Sequence, residues 1–251
     1  MRTRHVWPWF VVLAASTTIG CEDKQAAPAA PSAAVSASAA PAASASAETP
    51  KPKPAPDIDP FYGRFTLEDA TKGLEGSGKL IAEIETTSGK LTCTLFDDKA
   101  PLTVANFVGL ARGTRPFKDD TGKWVKDVPA FDGSSFHRVI GKFMIQGGCY
   151  KSDCEKASNA GYFFQDEIWE GMTHDRAGQL CMANSGRNTN SMQFFITDAK
   201  NAFLDKAGHT IFGECKPLAT VHKIATVPTD KKDKPKTPQE IKKVTIKRAG
   251  K

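Results

Sequence analysis

The sequence predicts a mostly β domain, built as a closed sheet or a sandwich. Three observations predict it. From Lys79 onward, short runs alternate apolar and polar residues at the strand period of two, and turn-rich segments separate them. A single stretch in this region keeps the helical period over several turns. No repeat of about 20–50 residues is visible, which removes solenoids and propellers. Many short strands with few helices suit a sheet closed on itself or packed on a second one.

The elements follow in chain order. GKLIAEIETTSGKLTCTLF alternates around a Ser88–Gly89 turn and reads as a hairpin. In PLTVANFVGLARG, Val104, Phe107, Val108 and Ala111 fall at i, i+3, i+4 and i+7. That is one face of a helix, with Pro101 at its start and Gly113 at its end. Residues 114–133 are polar and loop-like. SSFHRVI and FMIQGG read as two short strands. QLCMANS and SMQFFIT are two more, parted by the turn-rich GRNTN. HTIFGEC and KKVTIKR complete the set. Ahead of these, FTLEDATKGL reads as a short helix, with Thr66 as N-cap, Asp69 three residues on and Gly73 at the end.

The N-terminus reads as an address. Residues 1–20 begin with Arg2 and Arg4, continue through an apolar core from Val6 to Ala15, and end on Gly20. That is the layout of a secretory signal, and the apolar run is too short to span a membrane. TIGC at 18–21 resembles the lipobox of bacterial lipoproteins, with Thr18 where leucine is usual. Cys21 would then carry the lipid, and several acyl chains give stable anchoring. Residues 21–57 continue as an Ala/Pro/Ser-rich spacer that cannot form a core. The expected organisation is a signal over 1–20, an anchor and linker over 21–57, an extension over 58–78 and the domain over 79–251. The expected location is the cell envelope or periplasm, lipid-anchored to a bacterial membrane.

The net charge is +6, and it is uneven. From Lys216 onward there are eleven Lys/Arg and three Asp/Glu, a surplus of eight, so the rest of the chain sums to about −2. No aromatic residues interleave with the C-terminal lysines, which argues against nucleic acid as a partner. Among six cysteines, Cys149 and Cys154 flank a short polar loop and form the best disulfide candidate. Cys93, Cys181 and Cys215 lie in apolar runs and read as small core residues. No metal is expected, because His137, His174, His209 and His222 do not pair with cysteines at finger or ribbon spacing. No cofactor motif is present either: GLEGSG has the wrong glycine spacing for a dinucleotide loop, and GxSxG, HExxH and Walker A are missing.

Arg138 poses the functional question. It sits among Phe136, Val139, Ile140, Phe143 and Met144, with no carboxylate in the stretch, and a guanidinium is costly to bury unpaired. At a period of two, Phe136, Arg138 and Ile140 share a face. Gln193, Phe195 and Thr197 share another, opposite Phe194 and Ile196. Met144 and Gln146 repeat the mixture. Donors among apolar groups suit a groove that holds an apolar ligand and aims hydrogen bonds at its polar edge.

FHRVIGKFMIQGG, then MANSGRNTNSMQFFIT, then FLDKAGHTIFG resemble the cyclophilins, a peptidyl-prolyl isomerase family, in the family's order. The resemblance spans about 79–249. It implies an eight-stranded antiparallel β-barrel capped by two helices, no cofactor, and action as a monomer on proline-containing polypeptides. It implies that Arg138 is the catalytic residue. Phe143, Met144, Phe195, Leu204 and His209 would form the proline pocket, with Phe203 at its rim. Gln146 and Gln193 would position substrate, and Ala183, Asn184 and Ser185 would line the edge along which its backbone lies. Phe203 stands where many eukaryotic members carry tryptophan, and the stretch from Leu204 to His209 looks one residue longer than the commonest form. The competing expectation is a tethered chaperone that holds proline-containing chains without catalysis. Such a binder would not need Arg138.

Overall fold

The computed structural model describes residues 59–151, 154 and 159–250. The expected signal, Cys21 and the linker lie outside the described residues. In the extension, Thr66 caps helix α1 (Leu67–Thr71): its Oγ1 accepts from the Asp69 N–H at 3.2 Å, and its own N–H donates to Asp69 Oδ2 at 2.9 Å. This reciprocal box satisfies two of the donors that a helix start leaves open. The extension docks on helix α2 (Pro101–Arg112). Asp59 pairs with Arg115 at 3.0 Å, and the Arg115 guanidinium lies 4.0 Å from the Tyr162 ring centre and 4.8 Å from that of Phe65. Gly109 permits the approach, since a Cβ there would stand 2.5 Å from the Phe65 ring.

Strands β1 (Leu80–Thr86) and β2 (Gly89–Leu95) form the expected hairpin, with Leu80, Ala82, Ile84, Leu91, Cys93 and Leu95 turned inward. Helix α2 begins at Pro101, as its sequence predicts. It ends on Gly113, whose φ of 76° is left-handed and suits a residue without Cβ. The segment 114–133 is not a plain loop: β3 (Phe117–Lys118) and β4 (Trp124–Val125) pair as a small separate ribbon. Then follow β5 (Ser134–Ser135), β6 (Arg138–Ile140), β7 (Met144–Gly147), β8 (Gln179–Met182), β9 (Phe194–Thr197) and β10 (Ile211–Lys216). A third helix, α3 (Leu218–Ala225), is not foreseen from the sequence. Its buried face, Val221, Ile224 and Ala225, keeps helical spacing within a run of eight residues. Strand β11 (Glu240–Arg248) closes the chain.

The chain is mostly β, as expected, but the strand count differs from eight. One antiparallel sheet carries nine strands in the order β5-β11-β1-β2-β10-β8-β9-β7-β6. Its two edge strands, β5 and β6, are separated in the chain only by Phe136 and His137, so the sheet curls until its edges approach. No ladder joins β5 to β6 among the described residues. Phe107 of α2 fills the inside of the curl, against Phe131 (5.2 Å between ring centres), Phe212 (5.3 Å) and Phe194 (5.4 Å).

Two corrections concern individual residues. Cys93 and Cys215 are not free core thiols but a disulfide joining β2 to β10, where they face each other in register. Sequence spacing cannot choose pairings among strands distant in the chain. The Cys149–Cys154 bond is present as expected, and Cys181 is free and buried. Phe136 does not share the face of Arg138: it is buried in the inner core against Phe194. The chain leaves strand geometry at Phe136 and His137, which resets the alternation.

The Cys93–Cys215 link bridges 122 residues of chain. Replacing both cysteines with alanine is expected to lower stability by about 2–5 kcal/mol. The check is the denaturant midpoint under oxidising conditions; an unshifted midpoint would contradict it.

Candidate active site

The site is a row across the sheet. Arg138 on β6 faces Gln146 on β7, Gln146 faces Phe195 on β9, and Phe195 faces Cys181 on β8. Directly opposed residues on one face of a sheet lie about 4.5–5.5 Å apart. The next position on each strand is turned the other way, and Val139, Ile145, Ile196 and Leu180 belong to the inner core. The outer row builds a second apolar cluster of Met144, Met172, Cys181, Phe195, Leu204 and Ile211, with Phe143 and Trp169 packed on it. The sidedness expected for Phe194 and Phe195 is therefore present: one ring is in each cluster.

A cavity of about 160 Å³ opens on this outer cluster. Arg138 lines it together with Phe143, Met144, Gln146, Ala183, Asn184, Phe195, Leu204 and His209. A second cavity, of about 210 Å³, continues from it past Gln146, Ala183, Asn184, Ser185 and Gln193 to Phe163. Every residue expected at the site falls in one of the two cavities except Phe203. Phe203 stands at the rim, 66% exposed, with its ring 5.4 Å from that of Phe143.

The polar groups are held in place. Gln146 Nε2 donates to Gln193 Oε1 at 2.9 Å. Asn184 Nδ2 donates to the Gly208 carbonyl at 3.2 Å, and the Ala183 N–H donates to the Gln193 carbonyl at 3.1 Å. His209 Nδ1 donates to the Met182 carbonyl at 3.0 Å, which leaves Nε2 as its acceptor, and its ring meets Phe195 edge-on at 5.5 Å. Burial pushes the His209 pKa down, against the smaller upward pull of the Met182 carbonyl. Asp205 receives the His174 backbone N–H at 2.7 Å and its Nδ1 at 2.9 Å. These bonds hold the Asp205 carboxyl below its ordinary range and fix the 3-10 segment (Ala202–Lys206) that carries Leu204.

The guanidinium is not unpaired. Asp233, in the loop between α3 and β11, accepts from Arg138 Nε at 3.3 Å. Asp233 has a left-handed φ of 63°, and its carbonyl accepts the Val139 N–H at 2.9 Å, so it is fastened to the strand it serves. Both side chains are about 40% exposed (42% and 40%), where an ion pair contributes little to stability. The hydrogen bond to Asp233 uses Nε, at the root of the group, and does not consume the terminal nitrogens. Sequence reasoning missed Asp233 because it lies in a polar run, 95 residues from its partner, with no period to place it. Next to Arg138, burial pushes the His137 pKa down to about 4, helped by the nearby charges of Arg138 and Lys234.

The arrangement can hold a compact apolar ring beneath a cation and two carboxamides. Residues 81–246 match the model of the family described as cyclophilin type peptidyl-prolyl cis-trans isomerase/CLD. The chain is 40% identical over 168 residues to peptidyl-prolyl cis-trans isomerase A of Mycobacterium tuberculosis, covering 66% of this chain and 91% of the relative. It is 41% identical over 165 residues to peptidyl-prolyl cis-trans isomerase-like 1 of Neurospora crassa, covering 65% and 91%. A crystal structure of a cyclophilin type isomerase from Cryptosporidium parvum, obtained in the presence of the dipeptide Ala-Pro, aligns with a TM-score of 0.55 at 29% identity. That alignment covers 67% of this chain and 99% of the other.

Asp233→Ala is expected to lower kcat/KM about five-fold, the effect of about 1 kcal/mol on the barrier, with the denaturation midpoint nearly unmoved. A protease-coupled peptide assay beside a urea titration separates the two effects. The depressed His137 and His209 pKa values also set a pH dependence. The native state binds fewer protons at these groups than the unfolded state does. The His137 contribution to stability is therefore complete above the ordinary histidine value of 6.5 and is lost as pH falls through about 4, and His209 contributes in the same direction. His137→Asn should flatten urea midpoints measured across that interval.

Proposed function

This chain belongs to the cyclophilin type peptidyl-prolyl cis-trans isomerases, and from that premise we propose that Arg138 drives the isomerisation of X–Pro bonds in exported proteins. The peptide bond has partial double-bond character, and the X–Pro bond interconverts unaided over tens to hundreds of seconds. Twisting it breaks the amide conjugation and returns a lone pair to the proline nitrogen. A guanidinium N–H near that nitrogen donates to the lone pair and favours the twisted state over both planar ones. Only such differential stabilisation accelerates a reaction. No bond to the protein forms, and no proton changes owner permanently.

The other residues follow from what the twist requires. Phe143, Met144, Phe195, Leu204 and His209 hold the ring while the chain on the other side of the bond turns. Gln146 and Gln193 fix the substrate's polar edge, and Ala183, Asn184 and Ser185 run along its backbone. Arginine suits the donor position because it stays charged and presents its N–H groups in a rigid fork. The single observation that carries this reading is that Arg138 lines the same cavity as the apolar residues that would hold proline. The export role rests on the sequence: a basic, then apolar, then small-residue N-terminus leading to Cys21 and an Ala/Pro/Ser-rich spacer. On this reading a lipid on Cys21 tethers the isomerase to a membrane, within reach of newly exported chains.

Proline-limited refolding of a model protein tests the assignment. Wild type should accelerate it, and Arg138→Ala should lower kcat/KM between roughly 10- and 100-fold, the effect of losing a hydrogen bond to a charged group. Equal acceleration by both would leave a binding module as the better description.

A further inference from the structure

Beside the groove, three side chains with no part in the proposed isomerisation converge. His137 and Cys149 flank the open end of the β6–β7 pair, one residue before β6 and two after β7. Cys154 lies further along the loop that leaves β7 and is bonded to Cys149. His137 Nδ1 stands 3.7 Å from Cys149 Sγ, and the ligand atoms of all three lie within 4.8 Å of one another. We propose that, when the Cys149–Cys154 disulfide is reduced, His137, Cys149 and Cys154 form a binding site for a zinc ion. The inference is independent of the isomerase reading.

The geometry carries it. A tetrahedral ion with Zn–S of about 2.3 Å and Zn–N of about 2.0–2.1 Å places sulfur and nitrogen about 3.6 Å apart and two sulfurs about 3.8 Å apart. The His137–Cys149 separation already matches the first distance. Opening the disulfide removes the bond that holds the two sulfurs closer than the second distance, while His137 and Cys149 stand beside the ends of β6 and β7. Two thiolates and an imidazole are a donor set zinc takes, and three protein ligands leave one position to water. Two thiolates cancel the charge of the ion, so the complex adds no net charge beside Arg138.

The chemistry balances without an unnamed partner. A dithiol reductant attacks the disulfide, closes to its own disulfide and leaves two protein thiols. Zinc then displaces one proton from each. The reductant reaches this pair and not the other: Cys154 is partly exposed on a loop, whereas Cys93 and Cys215 are both fully buried in strands. Sequence spacing alone does not reveal the cluster, because a C-x4-C loop with its histidine twelve residues upstream fits no finger or ribbon spacing.

The test uses the full chain carrying Cys21→Ser, reduced with a dithiol, desalted without air and titrated with Co2+ and then Zn2+. The reduced protein should develop a thiolate-to-cobalt charge-transfer absorption that one equivalent of Zn2+ abolishes. The oxidised protein should show none. Cys154→Ser, a loop substitution that spares the sheet, should lose the absorption, and His137→Ala should weaken binding at least ~10-fold. No absorption from the reduced protein, or an equal one in Cys154→Ser or His137→Ala, would overturn the assignment.

Discussion

The register of three short antiparallel strands is the constraint on which the site depends. In β6, β7 and β9 one face is sealed into the aromatic core through Val139, Ile145 and Ile196. With a side-chain period of two, that burial dictates where the alternate residues point, and a slip by one residue would exchange the faces. Arg138, Gln146 and Phe195 share the outer face because their neighbours are needed inside. Core and site are thus two readings of one hydrogen-bonded ladder. The disulfide between Cys93 and Cys215 adds a covalent tie two strands beyond β9 in the sheet order.

A cation at the lip of an apolar slot must be partly paired, yet the pairing must not occupy the N–H groups a substrate would meet. Asp233 meets both conditions by accepting from Nε. At this exposure its contribution is orientation more than stability. Its own placement is economical. β6 is an edge strand with backbone groups open to pairing, and the loop carrying Asp233 covers part of that edge through the Val139 N–H. One loop therefore protects a sheet edge and aims the residue proposed to do the chemistry.

The sequence shows most of this, and where it falls silent the reason is physical. Alternation around Phe194 and Phe195 is legible because β9 is regular, and the α2 face because Val104, Phe107, Val108 and Ala111 span two turns. Phe136 is misplaced because the chain leaves strand geometry beside it, and periodic reasoning carries no signal across such a break. The helix α3 keeps helical spacing at Val221, Ile224 and Ala225, but it is a run of only eight residues that leads directly into a polar segment. Asp233 and the Cys93–Cys215 pair are contacts between segments far apart in the chain. Nothing local distinguishes Asp233 from Asp230, three residues earlier in the same polar run.

The stretch from Leu204 to His209 is a wall of the slot whose two ends are fastened independently. Lengthening a loop by one residue costs little in chain entropy, provided its ends stay fixed. Both ends are fixed here. Asp205 holds the 3-10 turn through two bonds from His174, so Leu204 stays at the slot. At the other end, Gly208 accepts from Asn184, and His209 donates to Met182. The intervening Lys206 and Ala207 are exposed, with the Ala207 N–H closing the 3-10 segment on the Leu204 carbonyl at 2.9 Å. The wall keeps its two inward side chains because each is tied to a neighbouring segment, not because the loop between them has a particular length.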